Sequence, residues 1–283
     1  MLITRLVTVV GLCFLLLGGL IMLTARGGQV TRTLSLPASA GFQGVATSTA
    51  SEAEPVPILL YHAIRSVDQG QDPAGHRRSV APGPFADQLE ALKHAGYTPI
   101  TLTELLAGEY PERSLILSFD GGYADFFMNA YPALKRRDLT AVVFVPTELL
   151  DDSEGTYLTS VQVTELAAAG IEIGSQTRTQ ANLTAQTAEQ LADELLTSRF
   201  ELQQLTDQRI AAIAYPDGAF NDAVLAAARA AGYQLGLTTD LGVVSPATPH
   251  LTLPRIPVNG GESVEELLAS IETARRLTAE PTE

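Results

Sequence analysis

The chain has 283 residues, of which 46% are hydrophobic, enough to build the core of one large domain or two small ones. Its 18 Lys and Arg residues stand against 32 Asp and Glu residues, giving a formal net charge of −14. Such a charge excludes a protein that neutralises phosphates across a broad surface, so we expect no nucleic-acid partner. Cys13 is the single cysteine, which excludes an intrachain disulfide framework and a cysteine-rich zinc module.

An uncharged apolar stretch lies near the start of the chain, at residues 6–24, between Arg5 and Arg26. As a helix it would be about 28 Å long, close to the roughly 30 Å of a bilayer's hydrocarbon core. We therefore expect a membrane anchor over residues 1–26. The alternative is a cleaved signal peptide, but the small-x-small pattern at 38–40 lies well past the apolar run and favours the anchor.

Residues 27–55 are rich in Gly, Ser, Thr and Ala without a sustained period, which predicts a flexible linker. From residue 56 onward, short β-branched or apolar runs alternate with amphipathic helical patterns. The strand candidates are 56–64, 98–102, 114–119, 140–145, 171–175, 210–215, 233–238 and 251–258. This alternation predicts an α/β fold with a parallel sheet, and about eight strands in this length favour a barrel over an open sheet.

Helix-start signals lie between these strand candidates. Thr187 with Gln190, and Ser263 with Glu266, have the spacing of a capping box. Asn221 can cap a further helix. The polar segment 69–78 is predicted to be a loop over the barrel mouth.

Polar residues follow several of the predicted strands. Functional side chains of a parallel barrel lie at the carboxyl ends of its strands, where His62, Asp120, Gln176 and Asp217 are expected. Arg255 should emerge at the same rim as Asp120, so the sequence predicts an ion pair between them. Alone, an Asp before two glycines is also typical of a turn or a helix cap.

Several ordered motifs carry a resemblance to a known family. They are PILLYH at 57–62, SFDGGY at 118–123, EIGS at 172–175, AYPDG at 214–218 and LPRI at 253–256. Together they resemble the polysaccharide deacetylases that share the NodB-homology domain (carbohydrate esterase family four). The resemblance covers residues 56–278, with the core motifs in 113–260. It implies a distorted (β/α) barrel in an exported protein that acts on N-acetylated polysaccharide.

The resemblance also implies a chemistry for the site. Family members hydrolyse an acetamide with a divalent metal such as zinc, which is held by one Asp and two His, while a second Asp is the base. The base position matches Asp120, whereas the metal positions match Gly121, Gln176 and Gln180. Glycine has no side chain and neutral amide oxygens are weak zinc ligands, so we expect no metal cofactor.

A rebuilt metal site would need other ligands. His62 with Asp120 would supply two, whereas three protein ligands are usual in catalytic zinc sites. His94 is predicted on a helix surface, and His250 at the opposite end of its strand. His76 falls in the predicted loop.

The remaining polar and aromatic residues predict a saccharide cleft. Tyr215 is expected to stack on a sugar ring, while Asp217 and the two glutamines are expected to hydrogen-bond hydroxyl or acetamide groups. For the two glutamines, neutral drift in a dead site stays an equal alternative. The full set of predicted substrate-binding residues is His62, Tyr123, Gln176, Gln180, Tyr215, Asp217 and Arg255.

These observations favour a membrane-anchored, extracytoplasmic member of the family that has lost metal-dependent catalysis and acts in carbohydrate binding or regulation at the cell envelope. The expected partners are an N-acetylated polysaccharide and, through the N-terminal helix, the membrane. One alternative is an active hydrolase of non-peptide carbon–nitrogen bonds, using Asp120 with a rebuilt or absent metal site. Another is an envelope interaction protein without affinity for sugar.

Overall fold

The structure is a computed structural model that describes residues 54–279. The predicted membrane anchor at 1–26, with Cys13, lies outside the described residues, as does nearly all of the predicted linker at 27–55. Within residues 54–279, every helix is too short or too polar to span a bilayer.

All eight predicted strands are present, and every pairing between them is parallel. Seven strands close into a barrel in the order β1-β8-β7-β6-β5-β4-β3, with β3 pairing back onto β1. The short β2 stands outside this ring and pairs only with the first two residues of β3. The strands are β1 (Ile58–Tyr61), β2 (Thr98–Pro99), β3 (Ser114–Phe119), β4 (Val142–Val145), β5 (Glu172–Ser175), β6 (Ala212–Ala214), β7 (Leu235–Leu241) and β8 (Leu253–Pro257). The predicted barrel fold is thereby confirmed.

Helices connect the strands and cover the outside of the barrel. Two of them contain a π-helical turn, at Phe126–Ala130 before α4 and at Asp193–Thr197 between α6 and α7. The α-helices are α1 (Pro73–Arg77), α2 (Pro82–His94), α3 (Leu102–Ala107), α4 (Tyr131–Lys135), α5 (Ser160–Ala168), α6 (Ala188–Ala192), α7 (Ser198–Thr206), α8 (Asp222–Ala231) and α9 (Val264–Ala279).

The helix-start signals are confirmed. The Thr187 hydroxyl accepts from the N–H of Gln190, whose side-chain oxygen accepts from the N–H of Thr187. Ser263 and Glu266 exchange the same two bonds before α9. The Asn221 side chain accepts from the N–H of Val224 at 3.0 Å and so caps α8.

The prediction of a loop over 69–78 is corrected in one respect, because this segment contains the short helix α1. Pro73 stands at the first helical position, where its missing N–H costs nothing. The Asp72 side chain accepts from the N–H of Gly75 and caps the turn.

Successive side chains of a strand point to opposite sides, and in β1, β3, β4 and β6 every residue on both sides is buried. On one face Ile58, Ile116 and Phe144 form an apolar cluster with other strand residues. On the other face the intervening residues, such as Leu59 and Leu117, pack against the helices. This double burial accounts for the nearly continuous apolar strand sequences, and it leaves the polar residues at the strand ends to form the site.

Candidate active site

An ion pair joins two strands at the barrel mouth. Asp120 follows β3 directly, and its N–H donates to the carbonyl of Tyr61 at the end of β1. The two terminal nitrogens of Arg255, from β8, donate to the two Asp120 carboxylate oxygens at 2.7 Å each. The Arg255 Nε donates to the carbonyl of Thr238 at 2.7 Å. The predicted pair is thus confirmed, and its bidentate geometry fixes the orientation of the carboxylate.

The three positions matched to metal ligands form hydrogen bonds with one another. The backbone N–H of Gly121 donates to Oε1 of Gln176 at 2.6 Å. Nε2 of Gln180 donates to the same oxygen at 2.9 Å. A carbonyl oxygen has two lone pairs, so these two donors use the acceptor capacity of the Gln176 side chain. We call this set of three residues the amide network.

The amide network does not fit a zinc-type ion. Gly121 supplies no side chain, and the oxygen of Gln176 already accepts two hydrogen bonds. Across residues 54–279, no three or more His, Cys, Asp or Glu side chains are grouped so that they could hold a metal ion. Zinc sites in proteins use three or four such ligands.

The loop that carries the two glutamines has an unusual backbone. Thr177 and Gln180 have φ angles of 64° and 61°. Positive φ is rare for a β-branched residue and costs about 1–3 kcal/mol, so neighbouring contacts must hold the loop. The buried Glu194 carboxylate supplies them, accepting from the N–H groups of Arg178 and Thr179 at 2.9 Å each and from the Thr179 hydroxyl at 2.5 Å.

Glu194 was missed by the sequence analysis. It lies on the π-helical turn between α6 and α7, sixteen residues along the chain from Arg178. A π-turn has no sequence signature comparable to a capping box, although such turns are frequent at functional sites.

A cavity of about 400 Å³ opens beside the ion pair and the amide network. This volume lies within the range of small-ligand sites. Six predicted site residues line it, namely His62, Asp120, Tyr123, Gln176, Gln180 and Asp217. Two further polar residues, Arg78 and Thr239, also line the cavity and were not predicted there. Both are exposed, Arg78 just after α1 and Thr239 within β7, and no motif marks them.

Two predicted substrate-binding residues do not reach the cavity. Tyr215 is fully buried, and its hydroxyl donates to the carbonyl of Leu251 at 3.0 Å. Its predicted role of stacking on a sugar ring is therefore corrected to a role in the core. Arg255 is also fully buried, so it acts on the site through Asp120 and does not contact a ligand itself.

The histidines are distributed largely as predicted. His62 lines the cavity, where burial lowers the pKa of its imidazole and the Asp120 carboxylate partly opposes this shift. His94 is exposed at the end of α2, and His250 is exposed before the start of β8. His76 lies in α1.

Tyr123 forms the aromatic wall of the cavity. Its ring stacks on that of Tyr157, with the centroids 5.5 Å apart, and the Arg65 guanidinium lies 5.6 Å from the Tyr123 centroid. Burial is the largest cause that raises the pKa of the Tyr123 hydroxyl, which therefore stays protonated at neutral pH.

Fold and site together define a (β/α)-barrel protein with a polar cavity at the carboxyl ends of its strands, lined by a buried carboxylate that pairs with an arginine. The family model described as polysaccharide deacetylase matches residues 107–236. YxkH of Bacillus subtilis (strain 168), whose name places it among the polysaccharide deacetylases, is 31% identical over 225 residues, covering 78% of this chain and 77% of YxkH. The chain belongs to the polysaccharide deacetylase family, as its motifs indicated.

Two solved structures and a further sequence relative agree with this assignment. The deacetylase PplD of Streptococcus pyogenes, solved in complex with acetate, is 32% identical with a TM-score of 0.72, covering 77% of this chain and 98% of PplD. BC0361, a polysaccharide deacetylase from Bacillus cereus, is 28% identical with a TM-score of 0.69, covering 76% of this chain and 68% of that one. The poly-β-1,6-N-acetyl-D-glucosamine N-deacetylase of Staphylococcus aureus (strain MRSA252) is 27% identical over 203 residues, which are 64% of this chain and 68% of that protein.

Proposed function

We propose that this family member binds N-acetylated polysaccharide at the cell envelope without metal-dependent hydrolysis, as a carbohydrate-binding or regulatory protein. The observation that carries the proposal is the amide network. Where the family places three metal ligands, Gly121 and Gln180 both donate to the side-chain oxygen of Gln176. The amide network contains no charged group.

The chemistry that remains is too weak for amide hydrolysis. When bound, a divalent metal polarises the carbonyl and lowers the pKa of a bound water from about 15.7 to about 7. Asp120 keeps the position of the base, but general-base catalysis contributes only about 10²- to 10⁴-fold. Both of its oxygens also accept from Arg255. Arg255 therefore holds the Asp120 carboxylate in place, and across residues 54–279 no metal-ligand cluster stands beside it to activate a water.

The lining of the cavity suits a neutral polar ligand. Asp120 is balanced by Arg255, and the exposed charges of Asp217 and Arg78 are opposite in sign. The amide of Gln180 and the imidazole of His62 offer further hydrogen-bonding groups. An N-acetylated hexose is uncharged and rich in hydroxyl groups. The Staphylococcus aureus relative, which is named for poly-β-1,6-N-acetyl-D-glucosamine, supports this class of ligand.

The proposal places the barrel outside the cytoplasm. Its support is the uncharged apolar run at 6–24, which is long enough to anchor the chain, followed by the Gly- and Ser-rich segment 27–55. Cleavage of this run as a signal peptide would give a secreted protein instead. Protease protection and fractionation of cells that express the full chain distinguish an anchored protein from a released one.

The central experiment measures metal, binding and activity on one preparation of the full chain, purified in mild detergent. We expect no stoichiometric zinc by mass spectrometry, calorimetric binding of N-acetylglucosamine oligomers, and no release of acetate from them. Bound zinc with acetate release would overturn the proposal. Acetate release without zinc that vanishes in Asp120→Ala would favour the hydrolase alternative, and a lack of affinity for sugar would favour an interaction protein.

A further inference from the structure

A second cavity, larger than the one at the barrel mouth, adjoins the loop that carries the two glutamines. Its volume is about 530 Å³, and it lies between α5, α7 and the segments that follow β4 and β5. Arg178, Phe200, Leu202 and Leu205 are among the residues that line it. We call this cavity the side groove. Its size is in the range of clefts that bind ligands.

The side groove and the mouth cavity share one loop. Gln176 and Gln180 line the mouth cavity, whereas Arg178, which lies between them in the chain, lines the side groove. The N–H of Glu148, which also lines the groove, donates to the carbonyl of Arg178 at 2.9 Å and so ties the loop to the segment after β4. A polymer that crosses this loop therefore passes from one cavity to the other.

Part of the groove lining is apolar. Leu150, Leu202 and Leu205 contribute aliphatic surface, and Leu202 is fully buried. Phe200 lines the same groove with 64% of its surface exposed. An exposed aromatic ring next to other apolar side chains is typical of a contact surface for a ligand or a partner. The apolar C–H face of a sugar ring can pack on such an aromatic ring.

The polar part of the lining is acidic. Glu148, Asp151 and Glu201 contribute three carboxylates, against the guanidinium of Arg178. This guanidinium also pairs with Asp193, which does not line the groove, at 2.9 Å. A cleft lined mainly by charges of one sign raises the local concentration of ligands with the opposite charge. The groove therefore favours a cationic ligand.

Two of these carboxylates are held in place by neighbouring hydroxyl groups. Glu201 accepts from the Thr147 hydroxyl at 2.5 Å, and Asp151 accepts from the N–H of Ser160 at 3.0 Å and from its hydroxyl. A carboxylate has about four lone-pair sites. These bonds thus orient the two groups and leave acceptor sites for a ligand.

We propose that the side groove is a second sugar-binding subsite, which takes a de-N-acetylated hexosamine of the same polysaccharide whose N-acetylated residue lies at the barrel mouth. Loss of the acetyl group turns a neutral amide into an ammonium group, which matches the acidic lining, while the sugar ring packs on Phe200. The reaction that supplies this ligand is hydrolysis of the N-acetyl amide, in which water adds and acetate leaves. The inference rests on the proposed function, because it requires that the mouth binds sugar.

Calorimetric titration of the full chain in mild detergent tests the subsite. The probes are a β-1,6-linked hexamer of N-acetylglucosamine, the same hexamer with half of its acetyl groups removed, and the acetylated disaccharide, which is expected to occupy the mouth alone. At low salt we expect the half-deacetylated hexamer to bind at least tenfold more tightly than the acetylated one. The preference should shrink in 1 M salt, where the Debye length falls to about 3 Å.

One pair of variants tests the aromatic contact. Phe200→Ala should weaken the binding of both hexamers at least fivefold and leave the binding of the disaccharide unchanged. Its control is Met128→Ala, which removes an apolar side chain of similar exposure, 61%, outside the groove. This control should change the affinity for none of the probes.

A second pair tests the charge. Glu148→Gln should reduce the preference for the half-deacetylated hexamer at least threefold. Its control is Glu90→Gln, because the two glutamates have side chains of similar exposure and each pairs with an arginine, but Glu90 lies on α2 outside the groove. This control should leave the preference unchanged.

Each outcome decides the inference. Equal affinity for the two hexamers, or unchanged hexamer affinity in Phe200→Ala, would overturn it. Equal effects of Glu148→Gln and Glu90→Gln would also overturn it, since the attraction would then come from the net charge of −14 as a whole. If no probe bound at all, the proposed function itself would fail. The two failures are distinguishable because the disaccharide still binds in the first.

Discussion

Two halves of one cavity differ in how they are stabilised. On one side Asp120 and Arg255 form a bidentate ion pair that is almost completely removed from water. On the other side Gly121, Gln176 and Gln180 are neutral and hydrogen-bond to one another. Asp120 and Gly121 are consecutive residues, so the change from charge to neutrality occurs across a single peptide unit at the end of β3.

The comparison shows why one half can be altered more easily than the other. A buried ion pair that loses one partner leaves an uncompensated charge, which costs about 3–5 kcal/mol. A neutral hydrogen bond is worth only about 0.5–1.5 kcal/mol net, although an orphaned buried group costs more. Loss of a bound cation together with its ligands leaves no such charge, whereas loss of Arg255 alone would.

The largest effect is therefore expected at the ion pair. Arg255→Ala should lower the free energy of unfolding by about 3–5 kcal/mol, because Asp120 would stay buried without its partner. Urea denaturation measures the change. Arg137→Ala is the control, since it breaks a pair with the half-exposed Glu90 and should cost at most about 1 kcal/mol. Similar losses in both variants would contradict the contrast between the two halves.

A smaller effect is expected in the amide network. Gln176→Ala should cost about 1–3 kcal/mol of unfolding free energy, because the buried N–H of Gly121 loses its acceptor. Gln180→Ala removes only a donor from a partly exposed side chain and should cost less. The same denaturation experiment ranks the two variants. The reverse ranking would show that Gln176 is not the centre of the network.

On the charged side of the cavity, we expect His62 to make the stability of the folded chain depend on pH. Burial lowers the pKa of this histidine in the folded chain, so the unfolded chain binds the proton more readily. The contribution to stability is complete above the unfolded pKa of about 6.5 and is lost as the pH falls below it. Between pH 7.5 and 5.5, His62→Gln should thus lose less stability than the native chain. Melting curves of both proteins at the two pH values measure the loss. An equal loss in the two proteins would refute the prediction.

The smallest effect is expected from metal ions. Neither a chelator nor added zinc should shift the melting temperature of the native chain. A ligand present at 100 times its dissociation constant would stabilise the fold by about 2.7 kcal/mol, which a melting curve readily detects. A rise with zinc that the chelator reverses would mean that the site holds an ion.

The fold was largely predictable from the sequence because the strands are buried on both faces. Each apolar run between helix signals corresponds to one strand, although the ends differ: the run 56–64 contains β1 only over Ile58–Tyr61. Hydrophobic pattern does not fix where backbone pairing stops. The pattern also could not reveal that β2 lies outside the ring. Like the ring strands, β2 lies in an apolar run between helix signals, and such a run does not tell which strands pair.

The site was predictable in its residues but less so in their surroundings. The rule that function lies at strand ends located Asp120 and its pairing with Arg255. The same rule predicted Tyr215 in the cavity. In the structure its side chain is buried in the core instead, and its hydroxyl donates to the carbonyl of Leu251. A tyrosine after a strand can point to either side, and only packing decides. The position of the Tyr123 ring beside the cavity likewise depends on the distant loop that carries Tyr157.

Glu194 has a consequence for how the barrel mouth can diversify. Its carboxylate binds residues 178–179 from a helix at the back of the loop, so the rim keeps its contour without help from any group that a ligand would touch. Substitutions at Gln176 or Gln180 then change what the mouth recognises and leave its outline intact. Because the rim is supported from behind, the residues that recognise a ligand can be exchanged while the shape of the rim is kept. The shape of the barrel mouth and the reaction it carries out can therefore change independently.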